Sequence, residues 1–331
     1  MKNTKTVNPR VWITIFILGV VVVSIISMGI GALYIHPLDI LKSLFGQDEN
    51  NYSYIIMNFR LPRILVAWLA GAGLAVSGAI LQGVIRNPLA SPDVIGITKG
   101  AGLAAVIVIL LYPKSPVYVL PIAAFLGAAV VAIALYALAY QKGVKPGTLA
   151  LVGIALGAMC HAGIQFFMIK FPVEVNAALG WLSGSVWGRG WDHVLVLAPW
   201  IILLLPITML LAMKLDILTL GDEVAKGLGE RVERLRRLLL ILAVALAGAC
   251  VAIVGTIGFV GLIAPHIAKQ LVGAKHRVVL PLSACVGAIC ILVADAIGRG
   301  LLPPSEIPAG IFTAIIGAPY FFYLLFRKKT S

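Results

Sequence analysis

Arg60 and Arg63, three residues apart in RLPRILVAWLAG (60–71), stand at the start of an apolar run that carries no charge until Arg86. A guanidinium offers a rigid fork of donors that matches a carboxylate, so an arginine pair beside such a run has two chemical uses. It can receive acidic side chains from another protein, or it can anchor the run by reaching the lipid headgroups. Asp295 is the one acid set some residues inside an apolar run.

Catalytic chemistry is hard to assemble from the remaining residues. No GxxxxGK[ST] loop occurs, so the chain has no phosphate cradle of that kind and any ATP must be bound by another subunit. There is no HExxH, and Ser183 in GWLSGS lacks the glycine two places earlier that an intramembrane GxSG serine site requires. His161 and His266 each stand in an apolar run with nothing at ligand spacing, so packing is the reading for both and no metal is assigned. Cys160, Cys250, Cys285 and Cys290 form no CxxC pair and are expected to be buried free thiols. No catalytic residue is assigned, and the chain is not expected to be an enzyme. An ion-coupled carrier would place carboxylates within its spans, and Asp295 alone approaches that.

The composition defines the elements that must position these residues. The 331 residues are 61% hydrophobic and only 12% charged, with mean hydropathy +1.04, too apolar for a soluble domain of this size. Runs such as VWITIFILGVVVVSIISMGIGALYI (11–35) show no alternation of polar and apolar residues, so a membrane β-barrel is excluded and membrane-crossing helices remain. That first run suits an uncleaved span rather than a secretory signal. Both tails are basic, with Lys2, Lys5 and Arg10 at one end and Arg327, Lys328 and Lys329 at the other. The positive-inside rule then puts both termini in the cytoplasm and requires an even number of spans, whereas the charge-poor runs number nine.

The run 238–273 resolves the parity, because its 36 residues would make a helix of about 54 Å. It contains Gly255, Gly258 and Gly261 and is expected to break near Gly255–Gly258. The expectation is one all-α membrane domain, 1–331, a polytopic bundle of ten helices. The spans fall at 11–35, 62–85, 98–113, 116–140, 147–169, 193–213, 237–254, 257–272, 278–298 and 307–326. On this topology only Lys42, Arg60, Arg63, Lys114, Lys170, Arg189 and Arg299 of the basic residues lie outside, so the net charge of +13 reports orientation rather than affinity for nucleic acid. Small residues at Gly71/Ala75/Ala79, Gly153/Gly157 and Gly180/Gly184/Gly188 are spaced for close helix contact.

The longest inner connection, KLDILTLGDEVAKGLGERVERLRR (214–237), has an apolar stripe of Leu220, Val224, Leu228, Val232 and Leu235. Its acids come early and its arginines late, a polarity that favours helix. Two short helices joined at Gly227–Gly229 are expected. The nearly balanced charge favours a protein partner over a lipid surface.

At this point the chain resembles the FecCD-type permease subunits of ATP-binding-cassette importers for iron-siderophores, haem and cobalamin. The likeness runs from about residue 55 to 326, through RLPRILVAWLAGAGLAVSGAILQGVIRNPLASPDVIG (60–96), LTLGDEVAKGLG (218–229), GTIGFVGLIAPHIAKQLVG (255–273) and PPSEIPAGIFTAIIGAPYFFYLL (303–325). The resemblance implies ten spans, a second permease subunit, homologous or identical, around a central path, two ATPase subunits beneath and an extracytoplasmic substrate-binding protein. It implies that ATP and magnesium belong to the ATPase subunits and that this chain carries no cofactor of its own. It implies coupling to the ATPase through Leu220, Gly221, Ala225, Leu228 and Gly229. It also implies a cytoplasmic gate at Asn87–Pro88–Leu89 and, with a poorer match, Pro146–Gly147–Thr148.

Arg60, Arg63 and Arg299 match the arginines that receive acidic residues of the binding protein; as exposed pairs each would be worth about 0–1 kcal/mol and would mainly orient the encounter. The expected function is ATP-driven import of a ferric siderophore by alternating access in a bacterial cytoplasmic membrane. The same machine carrying cobalamin or haem, and an ion-coupled secondary carrier, are the alternatives.

Overall fold

The computed structural model describes residues 8–46, 52–139, 145–303 and 305–327. Lys2, Lys5, Pro304, Lys328 and Lys329, which fall in the tails and motifs above, lie outside the described residues. Among the described residues every regular element is a helix.

The chain begins with α1 (Pro9–Gly29), α2 (Pro37–Leu44) and α3 (Ser53–Ile55). One π-helical turn, Ile56–Arg60, joins α3 without a break to α4 (Leu61–Ile85). There follow α5 (Ile97–Leu111), α6 (Val119–Ala139), α7 (Pro146–Lys170), α8 (Val175–Leu182), α9 (Trp191–Leu210), α10 (Ala212–Thr219) and α11 (Asp222–Gly227). The last four are α12 (Val232–Val254), α13 (Val260–Val272), α14 (His276–Leu301) and α15 (Ala309–Arg327). Among the described residues, seven helices are long and apolar enough to cross a bilayer, counting Ser53–Ile85 as one, and α5, α13 and α15 are shorter apolar helices.

The run 238–273 ends a helix at Val254 and starts another at Val260. Gly255 has φ 71° and ψ −164°, a conformation open mainly to glycine, and a side chain there would meet the Trp181 carbonyl. Phe259, with φ 66°, holds the left-handed conformation without that excuse, and its ring packs on Gly317 of α15.

The core of the bundle is α4, α12 and α14, which are largely buried, while α1, α6, α7 and α9 turn broad apolar faces outward. Glycines set the crossings. A Cβ on Gly71 would lie 2.4 Å from the Gly287 carbonyl oxygen, and one on Gly287 would lie 2.2 Å from that of Gly71, so α4 and α14 touch backbone to backbone. Gly78 meets Gly261 in the same way, and Gly153 and Gly157 pack on Ile95 and Gly96. Of the third expected set only Gly184 is tightly packed; Gly180 and Gly188 have open space around them. Polar groups bind helices where no water competes: Trp68 donates to Ser24 at 2.8 Å and Ser77 to the Ala243 carbonyl at 2.6 Å.

Segment 214–237 differs from expectation. The expected turn at Gly227–Gly229 is present, since α11 ends at Gly227 and Gly229 has φ 84°, but a second break comes at Leu220–Gly221, where Gly221 has φ 113°, and α11 is the only helix wholly within the segment. The second helix is not a short one: from Val232 the chain is α12, whose Val232, Leu235 and Arg236 are buried in the bundle.

Candidate functional site: two polar clusters at opposite ends of the bundle

α4 carries a cluster at each of its ends. At its start, the π turn places Arg60 and Arg63 inside a continuous helix of 33 residues rather than at the mouth of one. Both are therefore drawn into the protein. Arg60 is 8% exposed and donates to the carbonyls of Met28 and Leu33. Arg299, 5% exposed, donates to the carbonyls of Ser27 and Ile30 at 2.9 and 3.0 Å and to the Ser27 hydroxyl at 2.6 Å. Ser27, Met28 and Ile30 stand at the carboxyl end of α1, where the carbonyls carry its negative dipole end, and Leu33 lies just beyond it.

Arg63 is held differently. Its fork bridges two acids, donating to Asp295 at 2.6 Å and to Glu306 at 2.6 Å, and Asp295 also pairs with Arg299 at 3.1 Å. Asp295 is 3% exposed and Glu306 26%. The expected exposure is thus corrected: Arg60 and Arg299 are buried, Arg63 is only 11% exposed, and all three are held from within, joining α1, α4, α14 and the segment before α15. The acid inside the 278–298 run was the available signal for Arg63; nothing in the sequence pointed to the α1 carbonyls. Nearby, Trp191 of α9 donates to the Met57 carbonyl in the π turn at 2.9 Å. Burial without a carboxylate partner lowers the pKa of Arg189, in the turn before α9.

At the other end of α4 lies the second cluster. Arg86 ends the helix in the left-handed conformation, φ 53°, and its Nη2 donates to Asp222 at 2.5 Å. Asp222 opens α11 and also accepts from Arg236 of α12 at 2.7 Å, and Arg236 is fully buried. The preceding helix is tied in as well, since Asp216 accepts from His276 at the start of α14 at 2.6 Å. From the sequence, Asp222 and Arg236 counted only toward the acidic-to-basic polarity of 214–237, and Asp216 and His276 were not singled out.

Around this frame the expected coupling residues divide. Leu220 and Leu228 are 62% and 60% exposed and Val224 is half exposed, giving α11 an apolar outer surface. Ala225 is fully buried against the bundle. Gly221 and Gly229 take φ of 113° and 84° and allow the sharp turns at either end of α11.

Of the expected gate residues, Asn87 and Leu89 line a cavity of ≈ 400 Å³, together with Asp93, Ile154, Phe259 and Phe321 among others. The Asn87 side chain accepts from the Leu89 amide at 2.9 Å, fixing the turn after α4. Pro88 is not among the lining residues. Pro146 begins α7, where a missing amide hydrogen costs nothing, while Gly147 is exposed and Thr148 half-buried, two turns before the cavity-lining Ile154. Among the described residues no group of three or more His, Cys, Asp and Glu is placed to hold a metal ion.

A buried three-helix centre, broad apolar flanks and charge confined to the ends define a multi-pass membrane protein. A solved structure described as an inward-facing conformation of a metal-chelate type ABC transporter has the same fold. It matches with a TM-score of 0.84 at 32% identity, over 96% of this chain and 99% of that one. The profile of the FecCD transport family matches residues 19–327, and the chain belongs to that family.

Its relatives include the Fe(3+)-citrate import system permease protein YfmE of Bacillus subtilis (strain 168), 60% identical over 327 residues and 98% of both chains. The iron(3+)-hydroxamate import system permease protein FhuG of the same organism is 43% identical, over 99% of this chain and 100% of that one. The Fe(3+) dicitrate transport system permease protein FecD of Escherichia coli (strain K12) is 42% identical, over 86% and 88%.

Proposed function

We propose that this chain is the permease subunit of an ATP-binding-cassette importer in a bacterial cytoplasmic membrane, and that its cargo is a ferric chelate of the carboxylate type. The 60% identity to an Fe(3+)-citrate import permease across essentially the whole of both chains carries the reading of the cargo. The chain crosses the membrane ten times with both termini in the cytoplasm, so that the Asp222 cluster faces the ATPase subunits and the Arg63 cluster faces the binding protein outside.

The apolar surface of α11 enters a groove on the ATPase. Closure of the ATPase displaces α11, and Asp222 carries the displacement to Arg86 and Arg236, hence to α4 and α12. Because α4 also holds Arg60 and Arg63, its movement at one end is felt at the other. A second permease, identical or homologous, completes the path, and alternation between inward-open and outward-open arrangements moves the chelate. ATP with magnesium binds on the partner subunits.

The test is reconstitution of the complete transporter in proteoliposomes with its binding protein. ATP-dependent uptake of radioiron from ferric citrate is expected, with weaker uptake from ferric hydroxamates and none of cobalamin or haem. Uptake that ignores ATP and follows an ion gradient would instead establish a secondary carrier.

A further inference from the structure

The long helices present apolar residues to the outside along most of their lengths, with one exception. His161 of α7 lies nine residues from Lys170 and fifteen from Pro146, and its side chain is exposed, as is that of Gln165 one turn on. The two are bonded to each other, Gln165 Nε2 lying 3.2 Å from His161 Nε2. Among the described residues, His161 is the one exposed titratable side chain more than two turns from both ends of a helix of membrane-crossing length. A polar pair there is costly against hydrocarbon, and such groups are found facing water-filled cavities or protein.

The face it stands on continues to the gate. Gly147, Ile154 and His161 follow one another at seven-residue intervals, two helical turns each, so they share one line along α7. Gly147 is exposed, and Ile154 lines the cavity that also holds Asn87 and Asp93. A cation lies beside the same line: the methylenes of Lys99 pack over Gly157, one turn before His161, and Lys99 forms no ion pair among the described residues.

We propose that His161 and Gln165, with Lys99 beside them, form a mid-membrane contact for an anionic, oxygen-rich chelate as it passes. The ring and amide offer hydrogen-bond donors to the carboxylate oxygens of the cargo, and the ammonium supplies opposite charge. This rests on the cargo reading given above for its ligand class, and on the exposed line of α7 for its position.

Two experiments on the assembled transporter separate those supports. In the first, His161→Leu/Gln165→Leu should lower ATP-dependent uptake of ferric citrate about tenfold, the loss of one or two hydrogen bonds to a charged group. Assembly and ATP hydrolysis should be unchanged, and Gln165→Asn should retain most uptake. Unaltered uptake by the double variant would overturn the proposal. In the second, Gln165→Cys should react with a membrane-impermeant maleimide above the level of the native cysteines. Failure to react means the face is sealed by lipid or protein and also overturns it. Labelling of Gln165→Cys in a transporter that moves no ferric citrate would retain the aqueous face but dismiss the carboxylate chelate as its ligand.

Discussion

Arg86 and Asp222 lie 2.5 Å apart, joining the residue that caps the most buried helix to the first residue of the short helix that projects from the bundle. Arg86 reaches this position from a left-handed backbone conformation that an arginine adopts at some cost. Asp222→Ala should therefore uncouple the two helices and, because it takes an acid from the fully buried Arg236, also lower the unfolding temperature. ATP-driven uptake is expected to drop by about tenfold or more while the ATPase still co-purifies, a split that assigns the residue to transmission. Normal uptake by this variant would remove Asp222 from the coupling route.

The surface of α11 makes the opposite prediction. Leu220→Asp or Leu228→Asp changes a side chain that is more than half exposed, so thermal unfolding of the isolated permease should not move. Apolar anchors at protein contacts are commonly worth about 2 kcal/mol or more, so co-purification with the ATPase should be lost. Ala225→Leu, at a fully buried position, should reverse the pattern and lower the unfolding temperature.

Arg63→Ala leaves Asp295 and Glu306 without their shared fork, with Arg299 alone near Asp295. Removing one member of a buried ionic group costs about 3 kcal/mol, which a melting curve in detergent would register. Arg63→Lys should restore little, because one ammonium cannot span two carboxylates in the geometry of a guanidinium. An unchanged melting curve with loss of stimulation by the binding protein would show that Arg63 serves docking and not the fold.

Gly78→Ala should be among the least tolerated small changes, since the new Cβ would come within 1.8 Å of the Gly261 carbonyl oxygen and neither backbone can yield. A cost of about 1–3 kcal/mol is expected. Gly180→Ala, with open space around it, is the control and should melt like the parent.

Much of this architecture is legible in the sequence, because lipid imposes simple demands. Length and hydropathy mark the helices, and the excess length and glycines of 238–273 mark the break that falls between Val254 and Val260. The acidic-to-basic order of 214–237 marks its helical tendency. The turn at Gly227–Gly229 is there, but the further break at Gly221 was not expected, because the three glycines are equivalent as residues. Only the burial of Val232, Leu235 and Arg236 shows that the helix after the turn is the long α12 and not a second short one.

What the residues determine alone is thus the set of helices and the family motifs that order them. What the tertiary structure decided is where the charges go. Asp295 is 232 positions from Arg63, and carbonyls at the end of α1 that hold Arg60 and Arg299 are 32 and 272 positions away along the chain. A guanidinium looks the same in sequence whether it faces water, lipid headgroups or two buried carboxylates. Its surroundings exist only once α1, α4 and α14 have packed, and the small residues at Gly71 and Gly287 are what let the last two approach closely enough.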